Sequence, residues 1–359
     1  MRQVGRDLNV RYVLQGPVQR EGDQIRVTAQ LIDAASDAHL WSERWDRPSK
    51  DFFVIQTDIA DQLGSRLGGG GVILKADTAA ARRSRPENYT AYELFLAGRR
   101  EHVLFTPEST KNAIELLERA VAADPSLSRA WSELAFARQF LMVCCGADPA
   151  AVLPPALAAA RRAVETDPSD ALAHPAVAYI LGTQGNLAAS EAEFDTALRL
   201  NPGDTEILAL YSGWASGFGH PEQGAEMADH AIRLNPNYQV WQAWNFSWAY
   251  FAVGRFEDTL RILERLPKDN YLSFYSWVFR AASYAALGRA AEAKAATSDA
   301  LQHFPDLTIE GFTGTADNTD ADRIRLIGPM RTAGFPPCAK PEVLAKNPQL
   351  MRLPECVSK

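Results

Sequence analysis

Three tryptophans, Trp241, Trp244 and Trp248, stand three and four residues apart, so they share one face of a single helix. Large aromatic side chains gathered in this way are what peptide-binding hot spots are made of. The same spacing describes rings packed between helices, and both readings stand at this point. No other set of residue types competes as a site. The six histidines, His39, His102, His174, His220, His230 and His303, form no HExxH and do not pair with cysteine at ligand spacing, so no metal centre is expected. Gly68 to Gly71 are not followed by Lys-Ser or Lys-Thr and do not lead from a strand into a helix, which makes them a linker rather than a phosphate cradle. Carboxylates such as Glu115 and Glu118, or Glu191 and Glu193, lie on helices with Arg or Lys nearby, the pattern of a solvated face. His220 precedes Pro221 in an inter-helix turn, and turn chemistry accounts for it. The sequence therefore nominates no catalytic residue, no metal ligand and no cofactor.

Composition narrows the class further. The chain has 359 residues, 47% apolar and 23% charged, enough for two or three folded domains. A net charge of −7 gives no footing for a broad nucleic-acid or anionic-membrane surface, which needs clustered Lys and Arg. Cysteine is sparse: Cys144, Cys145, Cys338 and Cys356 are too few for a disulfide scaffold in a chain of this length, which suggests a reducing compartment. Cys144 and Cys145 end an apolar helix, where small buried side chains are the ordinary reading. The apolar run from Phe136 to Cys145 is too short to span a bilayer, and Met1-Arg2-Gln3-Val4-Gly5 opens no apolar signal core. A cytoplasmic protein without a membrane span is expected.

The elements that would position the tryptophans come from an internal repeat. Asp124-Pro125, Asp167-Pro168, Asn201-Pro202 and Asn235-Pro236 each close an Ala-rich helical segment, and the last three prolines are 34 residues apart. Gly185, Gly219, Gly254 and Gly288 follow at intervals of 34, 35 and 34. Each repeat reads as a helix, a tight turn at Gly, a second helix and a turn at Pro; neither helix can bury its apolar stripe alone, so the pairs must stack. Small residues mark the close approaches: Ala113 and Ala120, Ala156 and Ala163, Ala293 and Ala300. The period breaks twice. From Pro125 to Pro168 the interval is 43 residues, with Pro149, Pro154 and Pro155 suggesting an inserted loop, and the helix after Gly254 meets Pro267 early.

Ahead of the repeats the pattern is different. Tyr12-Val13-Leu14, a turn at Glu21-Gly22-Asp23, and Ile25, Val27, Ala29 and Leu31 alternating with polar residues give half-buried strands. His39 to Trp45 adds a third extended segment before Pro48, and Ile55, Ile59, Leu63 and Leu67 mark a helix. The unit reads β-β-β-α. Pro17 places an edge or bulge in the first strand, and an exposed edge can pair with another chain, as self-association or as an aggregation liability.

Over about Asn88 to Pro305 these features resemble the tetratricopeptide family. The final repeat carries Trp277, Ala281, Tyr284, Gly288, Ala293, Ala300 and Pro305 at the family's offsets. The resemblance implies a mainly α chain: a tetratricopeptide-type α-solenoid of about six helix pairs, preceded by a small, partial α/β domain, whose task is to hold a protein or peptide partner. Registering the tryptophan helix by Tyr250 and Gly254 places Trp241, Trp244 and Trp248 at positions that line the family's concave groove. Tyr275 and Tyr179 fall there by the same count. Registering by Pro236 instead would rotate the stripe by about 100°.

A second resemblance concerns the N-terminal residues. Arg11-Tyr12-Val13-Leu14-Gln15-Gly16, Arg26 to Ala34 and His39 to Asp46 look like the small α/β module, named for its likeness to the amino-terminal domain of TolB, that precedes tetratricopeptide repeats in class III adenylate/guanylate cyclases. The module also follows winged-helix domains in some transcriptional regulators. Tyr92 to Arg99 and Ile327 to Pro336 resemble further segments of the cyclase-linked proteins. Those relatives open the module with another strand and helix, so the chain is expected to start within a domain, as a fragment or a late-start product. The implied organisation is a partial α/β domain over residues 1–67, a flexible linker over 68–86, the repeat array over 87–305, and an extension with a short helix and a loose tail over 306–359. The implied function is that of a non-catalytic bacterial signalling module, with the carboxyl-terminal part of a cyclase or of a transcriptional regulator as the alternatives.

Overall fold

The structure, a computed structural model, describes residues 1–48, 59–60, 62–64, 66–67, 71–81, 89–266, 273–315, 319–346 and 348–357. They form two compact units, residues 1–89 with 203–205, and residues 90–202 with 206–359.

The first unit is built on an antiparallel sheet beside helix α1 (Arg2–Asp7). Strands β1 (Tyr12–Gln15) and β2 (Val18–Glu21) both pair with β3 (Gln24–Asp33), whose other side pairs with β4 (Ala38–Pro48). The first extended segment is thus split at Gly16-Pro17, where proline has no N–H to donate and a Cβ on Gly16 would come within 1.7 Å of the Thr28 carbonyl oxygen. The period-two alternation of β3 puts Ala29 against Trp45, Ile59 and Leu63. Opposite Leu31 and Ile32 the register skips Leu40 of β4, and Leu31 and Ile32, which point to opposite faces of β3, are both buried. Of the helix marked by Ile55, Ile59, Leu63 and Leu67, Ile55 lies outside the described residues. The stretch 68–86, expected as a flexible linker, holds helix α2 (Val72–Ala81). A buried carboxylate fixes that helix: Asp77 accepts from the Arg11 guanidinium and the Tyr12 hydroxyl. Burial and the Asp77 carboxylate together raise the Tyr12 phenol well above its ordinary value.

The second unit opens with six helix pairs: α3 (Ala91–His102) with α4 (Pro107–Ala123), α5 (Ser128–Cys145) with α6 (Pro149–Thr166), α7 (His174–Thr183) with α8 (Leu187–Leu200), α9 (Thr205–Trp214) with α10 (Pro221–Leu234), α11 (Val240–Ala252) with α12 (Phe256–Leu263), and α13 (Ser273–Ala286) with α14 (Ala290–His303). The fold is a tetratricopeptide-type α-solenoid. Gly185, Gly219, Gly254 and Gly288 all take left-handed backbone, with φ of 78°, 91°, 78° and 72°, at the turn between two helices of a pair. Ala113, Ala120, Ala156, Ala163, Ala293 and Ala300 are at most 1% exposed. Where the small position is not alanine, Ser190 donates to the Ala178 carbonyl at 2.7 Å and Thr259 to the Ser247 carbonyl at 3.3 Å, so the hydroxyl fits the close approach only because the partner helix satisfies it.

The expected loop between Pro125 and Pro168 is instead helix. Pro149 occupies the first turn of α6, and Pro154 and Pro155 lie inside it. The extra residues lengthen α5 and α6 to 18 each. Pro155, which cannot donate within the helix, accepts from Arg138 through its carbonyl. The break after α12 falls at Pro267, which lies outside the described residues.

Beyond Pro305, where a short helix and a loose tail are expected, the described residues include four helices. Helices α15 (Ile309–Thr313), α16 (Asp320–Ala333), α17 (Pro341–Lys346) and α18 (Pro354–Val357) cover the last pair. Leu326, Met330, Phe335 and Leu353 join Val278, Ala281 and Ala282 in one core. Two ties hold this segment. Cys338 and Cys356, expected to be reduced, form a disulfide with Cα atoms 5.4 Å apart, and the Cys144 and Cys145 side chains lie side by side at the end of α5. The fully buried Glu310 accepts from the Ala339 and Leu353 N–H groups at 2.8 and 2.9 Å and from Arg352 at 2.6 Å. Burial alone would raise its carboxyl; these donors and the Arg352 charge outweigh that and hold it below its ordinary value.

Replacing Glu310 by Ala strands two N–H groups and a guanidinium, and should cost about 3 kcal/mol in urea unfolding. A group whose folded value is depressed stabilises fully above its unfolded value and loses that contribution as the pH falls through the folded one. The gap between wild type and variant should therefore be full at neutral pH and close in strong acid. A gap of equal size under both conditions would contradict the assignment.

Candidate partner-binding groove

The first helices of successive pairs, α3, α5, α7, α9, α11 and α13, share the side of the second unit that faces a groove of about 1320 Å³. The period explains who lines it. A residue 34 positions on occupies the same place in the next pair, so a bulky residue at that place recurs along the groove. Trp214 and Trp248 are one such pair, and both line it.

All five residues singled out from the sequence line the groove, and all five are half-buried. Tyr179 meets Phe136 and Trp214 edge-on, at ring-centre separations of 5.7 and 5.4 Å. Trp214 in turn lies against Gly182, where a Cβ would come within 2.6 Å of the indole. Trp241 packs both on the Tyr179 and Trp214 group and on Phe105, Phe140 and Cys144, and its N–H donates to Gln239 at 3.0 Å. It thus joins the fifth pair to the second across the groove. Trp244 meets Tyr275 at 4.8 Å, Trp248 stacks on Phe279 at 5.4 Å, and Tyr275 reaches Phe312 of α15 at 5.7 Å. The two sequence readings of the stripe therefore describe two sides of the same rings: one packs on a neighbouring helix, the other lines the groove. The buried Trp244 indole N–H meets no acceptor among the described residues.

One end of the groove is charged, and sequence reasoning missed it. Arg99 donates to Glu206 at 2.5 Å and pairs with Glu133 at 3.6 Å, and His102 Nδ1 lies 2.6 Å from the same Glu133 carboxylate. These groups are nearly buried. Burial alone would raise the Glu133 carboxyl, but the Arg99 charge and the His102 hydrogen bond hold it below its ordinary value. Arg99 and Glu133 are one period apart, a signal the sequence does carry; Glu206 comes from another pair and has no such mark. At the other end α16 forms a wall, where Asp322 accepts from Ser216 and pairs with Arg325 at 3.2 Å. Leu350, inside the loop closed by Cys338–Cys356, lines the same end.

Among the described residues, no three His, Cys, Asp or Glu side chains gather as a metal site, and no helix is long and apolar enough to cross a membrane. The fold and this groove define a tetratricopeptide-type helical-repeat protein carrying a small antiparallel-sheet unit ahead of the array. No family model matches the chain. It is 34% identical over 194 residues to a Rhizobium meliloti protein named "Putative adenylate cyclase 3", an alignment covering 53% of this chain and 32% of that protein. The chain thus spans about a third of the curated relative it matches. Among solved structures, a monomeric mutant of IFIT1 with Gppp-AAAA superposes with a TM-score of 0.51 at 12% identity, over 82% of this chain and 69% of that one, a likeness of fold. A tetratricopeptide repeat protein from Parabacteroides merdae superposes with a TM-score of 0.39 at 15% identity, over 72% of this chain and 98% of that one.

Replacing Arg99 by Ala would leave Glu133 and Glu206 buried beside each other without their guanidinium, at a cost of about 3 kcal/mol at neutral pH. The penalty should shrink as the pH is lowered, because the stranded carboxylates can then take up protons. Thermal unfolding of both chains across the carboxylate range checks this, and a penalty that grows in acid would refute it.

Proposed function

We propose that this chain is a non-catalytic bacterial signalling module that holds a protein or peptide segment in its groove and regulates or positions a nucleotide cyclase. The groove is the observation that carries the reading: a concave, mainly apolar cleft of about 1320 Å³, floored by Trp241, Trp244, Trp248, Tyr179 and Tyr275. Rigid aromatic rings give a large contact area at little cost in side-chain entropy. The likeness to the Rhizobium meliloti protein supports the link to cyclic nucleotide signalling. A cyclase draws on nucleoside triphosphates, which favours the cytoplasm as the compartment.

A second reading has its own observation. The alignment takes in 32% of the cyclase-named relative, which favours this chain as the carboxyl-terminal part of a longer adenylate cyclase whose catalytic part lies elsewhere in the protein. Both readings assign this chain the regulatory share. The exposed edge of β1 and β2, with Leu14 and Val18 at the surface, is where self-association would occur, and an aggregation liability remains its simpler meaning.

The purified chain, given ATP with magnesium or manganese, should form no cyclic AMP. Added to the catalytic part of the Rhizobium meliloti protein, it should change that part's rate of cyclic AMP formation, and a Trp244→Ala, Trp248→Ala variant that still melts cooperatively should change it less. Turnover by the chain alone would overturn the non-catalytic assignment. An unchanged rate at saturating chain would overturn the regulatory one.

A further inference from the structure

We infer that the segment taken by this groove is apolar and carries a basic side chain, and that acidic peptides and nucleic-acid strands are excluded; the inference rests on the groove reading above. Two guanidiniums line the groove, Arg99 and Arg129, and no lysine does so among the described residues. Arg99 is engaged by both Glu206 and Glu133, and Arg129 by Asp170 at 3.1 Å. An incoming carboxylate or phosphate would have to break one of these pairs and leave its carboxylate buried alone, which is costly in a desolvated site.

An incoming cation meets the opposite situation. Four carboxylates line the groove, Glu133, Asp148, Glu206 and Asp322, against the two guanidiniums. Glu133 already takes Arg99 and His102, and Asp322 takes Ser216, Thr319 and Arg325, so the capacity left for a cation lies first with Asp148. Asp148 is exposed and accepts one bond, from the Ala150 N–H at 3.0 Å. The tryptophan and tyrosine faces add a second attraction, because the ring quadrupole favours a cation above it. The chain already uses that contact elsewhere, with Arg255 over the Tyr250 ring at 4.3 Å. An apolar stretch suits the aromatic floor, and a lysine or arginine within it suits Asp148 and the surplus of carboxylates over guanidiniums in the lining.

The test uses the full chain and three fluorescently labelled short peptides with one Leu/Phe pattern, bearing a pair of lysines, glutamines or glutamates, together with a labelled oligoadenylate. Binding is read by anisotropy at low and high salt. The lysine peptide should bind about tenfold tighter than the glutamate peptide, with the glutamine peptide between them and the difference narrowing at high salt. Asp148→Asn, which keeps a capping side chain, should weaken the lysine peptide about threefold and leave the glutamine peptide unchanged. If the glutamine or glutamate peptide or the oligoadenylate binds as tightly as the lysine peptide, the charge inference fails while the groove reading survives. If none of the three peptides binds, the groove reading itself falls, and this inference with it.

Discussion

Everything in the larger unit depends on how closely two helices of a pair approach. Neither helix can bury its apolar stripe alone, and the stripe closes only where the facing residue is small. The buried alanines from Ala113 to Ala300, with Ser190 and Thr259 in their stead, set that distance. The left-handed glycines set the turn that brings the second helix back at the right angle. A bulky residue at a small position would push a pair apart, and through stacking the displacement would pass to the next pair.

The groove follows from that constraint. With small residues claimed by the pair interfaces, the bulky aromatics of the first helices are left for the side that the pairs share. There they meet aromatics of the next first helix, as Trp244 meets Tyr275 and Tyr179 meets Trp214. Trp241 closes a longer span by reaching the Phe105 and Phe140 group. The same rings therefore stiffen the array and offer it a binding surface, which makes the surface preorganised and limits what an occupant loses in ordering it.

Buried charge in the second unit is held by partners. Arg99 answers two carboxylates in the groove, and Glu310, in the carboxyl-terminal segment, answers two N–H groups and a guanidinium. Ions in such places are tolerable only with partners, and removing one partner exposes the full desolvation cost of the other. The carboxyl-terminal segment uses this to fasten itself. Its disulfide and the Glu310 bonds fix the stretch that covers the apolar face of the last pair, the role a capping element plays in a repeat array.

The repeat was legible in the sequence because each unit restates its own packing rules: glycine where the backbone must be left-handed, alanine where helices touch, proline where one pair ends. Trp241, Trp244 and Trp248 could be placed on one helix face, and Tyr179 and Tyr275 in register with them, by counting alone. What counting could not supply depends on residues that meet without sharing a period. Glu206 joins Arg99 from a distant pair, Trp241 reaches across to Phe140, Pro154 and Pro155 sit inside a helix stabilised by its neighbours, and the segment after Pro305 folds onto a core it does not itself contain. Local pattern records what a residue needs from its own helix and the next one; only the folded chain decides which distant side chains become neighbours, because stacking curvature, and not sequence spacing, sets those distances.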